Sequence, residues 1–169
     1  MKNLARLLLS LLVTTMTASM VLGQGASIAM GSPDFDTGQP VEVSADTLSV
    51  DQSNGQAVFS GNVLVVQGEV RMSAGRILVV YGSDASGAAS GIDRLEADGG
   101  VTFVTATDAA EAREAVYSVS GGTVTLSGDV LLTQGQNAIS GDRLVIDLAS
   151  GTGQMEGRVR TVFGTGGGN

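Results

Sequence analysis

Apolar and polar positions alternate along most of this chain, and the alternation changes parity at regular intervals. Residues 59–81 read FSGNVLVVQGEVRMSAGRILVVY. That is a run of period two, a glycine corner, a second run, a second corner and a third apolar run. The pattern returns over residues 126–148 as LSGDVLLTQGQNAISGDRLVIDL. Ser60, Gly61, Val63, Leu64, Gln67, Gly68, Ser73 and Arg76 recur as Ser127, Gly128, Val130, Leu131, Gln134, Gly135, Ser140 and Arg143. An internal repeat of this kind points to like units stacked on one another.

Each unit reads as strand, corner, strand, turn. Val41, Val43 and Ala45 alternate with Glu42 and Ser44, and the apolar series then continues from Leu48 and Val50. A strand of period two changes its buried face only through a bulge or a corner. The same change follows Ala74, Ala112 and Gly141, so four corners are expected, at those residues and at Ala45. Turns are marked by Ser53-Asn54-Gly55, Gly82-Ser83-Asp84, Asp98-Gly99-Gly100, Gly121-Gly122 and Ser150-Gly151. No segment of useful length has a helical period. The expected inward face carries Val50, Phe59, Val63, Val65, Met72, Ile77, Val79, Val101, Phe103, Tyr117, Leu126, Val130, Leu132, Ile139, Leu144 and Ile146. Ser60, Asn62, Gln67, Arg71 and Ser73 are expected to face water. Short strands bending at repeated corners predict an all-β fold, an open jelly roll or a solenoid-like sandwich.

The first residues follow a different grammar. Lys2 and Arg6 precede an apolar run over residues 7–22, and small residues follow at Gly23, Gly25, Ala26 and Ala29. This predicts a secretory signal peptide over residues 1–29, cleaved after Gly23 or Ala29; an uncleaved membrane anchor is the alternative. Residues 30–39 then read as a flexible lead-in, 40–163 as one β domain and 164–169 as a flexible tail. Without Lys2 and Arg6 the formal net charge moves from −8 to about −10. A surface this acidic disfavours nucleic acid and anionic membranes as partners.

Little catalytic chemistry is on offer. The chain has no cysteine and no histidine. Disulfides, thiolate metal sites, a cysteine nucleophile and the commonest general base are therefore excluded. Asp46 with Asp51, and Asp142 with Asp147, form carboxylate pairs, but they recur with the repeat as scaffold residues do and are expected to close turns. No calcium-loop pattern is present; no metal site, cofactor or catalytic residue is assigned.

Two other features bear on function. Small residues at or near inward positions (Ala45, Gly61, Ala74, Gly99, Ala115 and Gly128) are expected to leave the sheets incompletely closed, with room for an apolar ligand. A closed, dry core is the plainer alternative. An unclosed sheet also has two edges, here expected near Val41, Glu42 and Val43 at the start and near Val159, Arg160, Val162 and Phe163 at the end. Unlike edges pair head to tail, unless flanking charges such as Glu42, Arg158 and Arg160 blunt them.

Taken in order, QPVEVSADTLSVD, FSGNVLVVQG, IDRLEADGGVTF, AVYSVSGGTVTLSGDVLLTQG, ISGDRLVIDLASG and RVRTVF resemble the LptA, OstA-like family of periplasmic lipopolysaccharide-transport proteins. The resemblance covers residues 39–163. It implies an open, twisted antiparallel β-jelly roll of stacked short strands whose groove holds the acyl chains of lipopolysaccharide. By position, the implied groove falls on Val41, Val43, Val50, Phe59, Val63, Val65, Met72, Ile77, Val79, Phe103, Tyr117, Leu126, Val130, Leu132 and Ile146. It further implies a periplasmic location, head-to-tail self-association and a bridge from the LptC and LptF jelly rolls at the inner membrane to the N-terminal domain of LptD at the outer membrane. An LptC-like anchored partner and a structural β-repeat protein with a closed core are the alternatives.

Overall fold

The structure is a computed structural model and describes residues 26–30, 36, 38–51, 55–83, 85–87 and 89–164. Its strands are β1 (Ala26–Ala29), β2 (Glu42–Ser44), β3 (Thr47–Asp51), β4 (Gln56–Gln67), β5 (Val70–Ser83), β6 (Ala89–Asp98), β7 (Val101–Val104), β8 (Asp108–Ala112), β9 (Glu114–Ser118), β10 (Thr123–Gln134), β11 (Asn137–Asp147), β12 (Thr152–Glu156) and β13 (Arg160–Val162). No helix occurs among the described residues. The strands form one antiparallel sheet.

That sheet is bent along a line of corners into two half-sheets. The front half-sheet runs β2, β4, β5, β7, β8, β10, β11, β13. The back half-sheet runs β3, β4, β5, β6, β9, β10, β11, β12 and ends in β1. The long strands β4, β5, β10 and β11 cross the corner and belong to both. The expected parity changes hold: Met72 and Ala74 are buried before the corner of β5, and Ile77 and Val79 after it. In β11, Ile139 hands over to Leu144 and Ile146. The chain breaks between β2 and β3 at Ala45 and between β8 and β9 at Arg113, while at Ala74 and Gly141 the strand bends without breaking.

The corner has a repeated backbone device. Gly61-Asn62, Gly128-Asp129 and Gly157-Arg158 all have positive φ, and these three partners of glycine are the only non-glycine residues that do so among the described residues. Left-handed backbone costs an ordinary L-residue roughly 1–2 kcal/mol, and Asn and Asp bear it best. In β4 and β10 the register shifts at this pair, so both are bulges. Hydrogen bonds stitch the corner line: Asp46 N–H donates to Gly61 O (2.9 Å), Arg113 N–H to Gly128 O (3.0 Å) and Asp142 N–H to Gly157 O (3.0 Å).

Close approach at the corner needs glycine on the strands that do not bulge. A Cβ on Gly75 would lie 3.1 Å from Gly99 O, and one on Gly141 would lie 2.7 Å from Met155 Sδ and 2.9 Å from Glu156 O. Met155 can turn aside, but the backbone oxygen is fixed by the β11–β12 ladder. Gly141→Ala is therefore expected to cost about 1–3 kcal/mol, the usual penalty for overpacking. Urea denaturation would show it as a lowered midpoint at constant slope; an unchanged midpoint would mean that the corner has slack.

The fold begins earlier than expected. β1 lies in the region assigned to a removable signal peptide, yet it pairs with β12, Ala26 opposite Met155 through Ala29 opposite Thr152. Ile28 and Met30 are buried in the core. The described fold thus includes residues 26–30, which were expected to lie in the signal peptide and lead-in, ahead of a β domain starting at residue 40. Residues 1–25 of the expected signal, 31–35 and 37 of the expected lead-in and 165–169 of the expected tail lie outside the described residues.

Candidate functional site: the apolar interior and the two sheet edges

The inner faces of the half-sheets share one core. Val63, Val65, Met72, Phe103, Val130 and Leu132 line it from the front, and Ile77, Val79, Tyr117, Leu126 and Ile146 from the back. All eleven belong to the expected groove and all are buried; Phe103 is 1% exposed and Leu132 0%. The space between Met30, Val70, Thr105, Ile146 and Leu148 amounts to about 10 Å³, room for one water at most.

The expectation of parted sheets is thereby corrected: in this structure the interior is filled by its own side chains. The reason lies in where the small residues fall. Gly61, Gly99 and Gly128 stand at the corner line against Asp46, Gly75 and Arg113. Ala45, Ala74 and Ala115 lie at or beside the same corners. Small residues there let neighbouring backbones approach and the sheet fold shut, so they tighten the hinge instead of widening a gap.

The N-terminal end of the interior is different. Val50 pairs with Ala57 and Leu48 with Phe59, and directly opposed residues share a face. Leu48 and Val50 thus point inward, as expected for Val50, but no strand covers them and both are exposed. Val41, Val43 and Phe59 are half-buried around the same opening. The four most exposed large apolar side chains among the described residues are Leu48 (56%), Val50 (60%), Val162 (53%) and Phe163 (74%). They sit at the two extremes of the sheet, on β3 and at β13, together with half-exposed Val159 and exposed Glu42 and Arg160. Leu48 was missed as a site residue although its parity with Val50 marks it.

One polar contact ties the half-sheets together. The Tyr117 hydroxyl on β9 donates to Gln67 Oε1 at the tip of β4, at 2.5 Å, and Gln67 Nε2 donates to Gln39 O at 2.8 Å. Gln67, expected to face water, is buried; it turns inward because Tyr117 and the Gln39 carbonyl satisfy its amide. Burial pushes the Tyr117 phenol up to about 12. Its counterpart in the repeat, Gln134, donates to Ala29 O (2.8 Å) and to Asp108 Oδ1 (2.9 Å). The repeated glutamine was visible in the sequence as a signal for this shared role.

The acidic pairs do structural work. Asp142 accepts from Arg158 Nη2 (2.6 Å) and Nε (3.2 Å), and this contact holds its carboxyl below the ordinary value. Asp147 accepts from the Ser150 N–H (2.9 Å) in the β11–β12 turn and is lowered by that bond. Asp46 accepts from Asn62 Nδ2 (2.8 Å), and Arg113 pairs with Asp129. The contacts of Asp46, Asp129 and Asp142 decorate the outside of the corner, and that of Asp147 closes the turn. Acid–base catalysis by two carboxyls needs one of them raised; in the Asp142–Asp147 pair both are lowered.

Residues 42–152 match the family described as LptA/(LptD N-terminal domain) LPS transport protein. The chain belongs to that family. Among its relatives in this LPS-transport family, the lipopolysaccharide export system protein LptA of Escherichia coli (strain K12) is 28% identical over 125 residues, covering 70% of this chain and 65% of that protein. LptA of Haemophilus influenzae is 25% identical over 157 residues, covering 86% and 87%. An uncharacterised protein of Rhizobium meliloti (strain 1021) is 29% identical over 153 residues, covering 86% and 82%. The crystal structure of LptH, described as the LptA-homologous periplasmic component of the lipopolysaccharide transport device of Pseudomonas aeruginosa, superimposes with a TM-score of 0.66 at 20% identity, over 78% of this chain and 99% of that one. The fold of this family member is thus the all-β, antiparallel, jelly-roll-like fold that the sequence predicted.

Proposed function

We propose that this protein works in the periplasm as a non-enzymatic carrier, covering the acyl chains of lipopolysaccharide between its two half-sheets. Copies join end to end in a bridge from the LptC and LptF jelly rolls of the inner-membrane exporter to the N-terminal domain of LptD. The observation that carries this reading is an interior lined mainly by apolar side chains, with Leu48, Val50 and Phe59 at its open end. Each methylene kept from water is worth roughly 0.8 kcal/mol, so a lipid with several long tails needs cover throughout its passage. The closed interior implies that the halves part along the corner line to admit a tail. The cost of parting is offset because a tail replaces one apolar contact by another of similar kind.

Photo-crosslinking tests the reading. Crosslinkers at Val50, Val63 and Phe103 are expected to capture labelled lipopolysaccharide, Val50 first and Phe103 once the halves part. Capture at none of the three would leave a structural β-repeat protein with a dry core, the reading that the full burial of Phe103 and Leu132 favours.

A further inference from the structure

We infer that β1 stands in for a strand of a second copy of this chain. It covers, within one molecule, the β12 edge that β3 of the next molecule occupies on end-to-end assembly, and it must leave for that half of the joint to form. The inference rests on the end-to-end reading above.

The argument starts from strand parity. Every pairing in both half-sheets is antiparallel. The front half-sheet has eight strands, from β2 to β13. The back half-sheet also has eight, from β3 to β12, when β1 is left out. With an even number in each, the next molecule's β2 meets β13 antiparallel and its β3 meets β12 antiparallel. β1 makes the back half-sheet nine strands deep. A molecule stacked on β1 would have to pair β3 in parallel, and its back half would stand one strand spacing, about 4.8 Å, out of step with its front half. Both halves dock together only when β1 is absent.

The two strands are also matched to the same place. β1 lies antiparallel on β12 with buried Ile28 opposite Gly153. β3 runs in the direction β1 takes, and in register it would set Val50 opposite Gly153 and Leu48 opposite Met155. That seat covers the two inward side chains left in water at the other end of the molecule. It also brings Asp46 beside Gly157, extending the corner line in which Asp46 already bonds Gly61.

β1 is one residue shorter than β3, and it seats Ile28 and the adjoining Met30 in the core. It has four residues, ASIA, and is fastened by its ladder, by Met30 N–H on Gly151 O (2.7 Å) and by the Gln134 amide on Ala29 O. β3 supplies five residues and two large inward side chains.

A disulfide lock tests this, because the chain has no cysteine of its own. Ser27 and Gln154 are directly opposed and both exposed, at a separation a disulfide spans. In the purified Ser27→Cys/Gln154→Cys protein, sedimentation velocity is expected to show monomer when oxidised and chains when reduced, with at least tenfold weaker association in the locked form. Removal of residues 26–29 is expected to tighten association at least tenfold, and Val50→Asp to abolish it. Equal association of locked and reduced protein, with Val50→Asp still disruptive, overturns the role of β1 and leaves end-to-end assembly standing. Absence of association in every form, the shortened one included, overturns both. A mature N-terminus beyond Ala29, read by mass spectrometry, overturns the role of β1 as well.

Discussion

Phe103→Ala is expected to destabilise the fold by about 3–5 kcal/mol, the usual range for deleting a buried aromatic ring. Phe103 sits mid-way along the front half-sheet, paired with Met72 on β5 and Ala110 on β8. It is the largest of the fully buried side chains. The hinge line is stitched by backbone hydrogen bonds, so the sheet cannot collapse freely onto the hole, and the cavity term is retained. A guanidinium titration would show a lower midpoint at nearly constant slope. A loss below about 1 kcal/mol would mean that the interior is looser than its burial implies.

The same variant separates a carrier from a dry scaffold. An apolar cavity made by truncation stays dry and accepts small apolar ligands. If acyl chains enter between the half-sheets, lipopolysaccharide refills the space of the missing ring. Its stabilising effect should then be larger on Phe103→Ala than on the unaltered protein. Equal shifts for the two proteins would place the lipid elsewhere.

Much of this arrangement was legible in the sequence, for identifiable reasons. A parity change cannot be hidden in a strand of period two, so the faces of β5 and β11 could be read from Met72 and Ile77, and from Ile139 and Leu144. The bulges at Gly61-Asn62 and Gly128-Asp129 were not read, because the one extra residue each inserts offsets the parity change at the corner and leaves Phe59 and Val63 in step. Their signal was chemical: glycine followed by Asn or Asp, repeated. Closure of the interior was misread because a small side chain counts as missing volume until the backbone it admits is known. β1 was hidden by its neighbourhood. Ser27, Ile28, Ala29 and Met30 alternate as a strand does, but they follow an apolar run whose export grammar dominates the reading.

Raising the pH through 10–12 is expected to weaken the fold through one residue, Tyr117. Its phenol moves from the ordinary 10.0 to about 12 because burial penalises the phenolate. Below pH 10 both the folded and the unfolded chain hold the proton, and the full stability is present. Between 10 and 12 the unfolded chain gives up its proton while the folded one keeps it, so stability falls with each step in pH. Two pH units correspond to roughly 3 kcal/mol, lost in full once the folded phenol ionises. Ionisation also removes the donor that joins β9 to the tip of β4, since a phenolate has no proton for Gln67 Oε1. Tyr117→Phe keeps the ring in the core and has nothing to titrate. It should lose about 1 kcal/mol at neutral pH with the hydrogen bond and show a flatter stability profile above pH 10. If both proteins weaken in parallel through that range, the alkaline sensitivity arises outside the Tyr117–Gln67 contact. If only the unaltered protein weakens, the sensitivity lies in this contact, one of the polar ties between the half-sheets beside that of Gln134 to Ala29. The variant should then also take up lipopolysaccharide faster at neutral pH, by roughly the fivefold that about 1 kcal/mol represents.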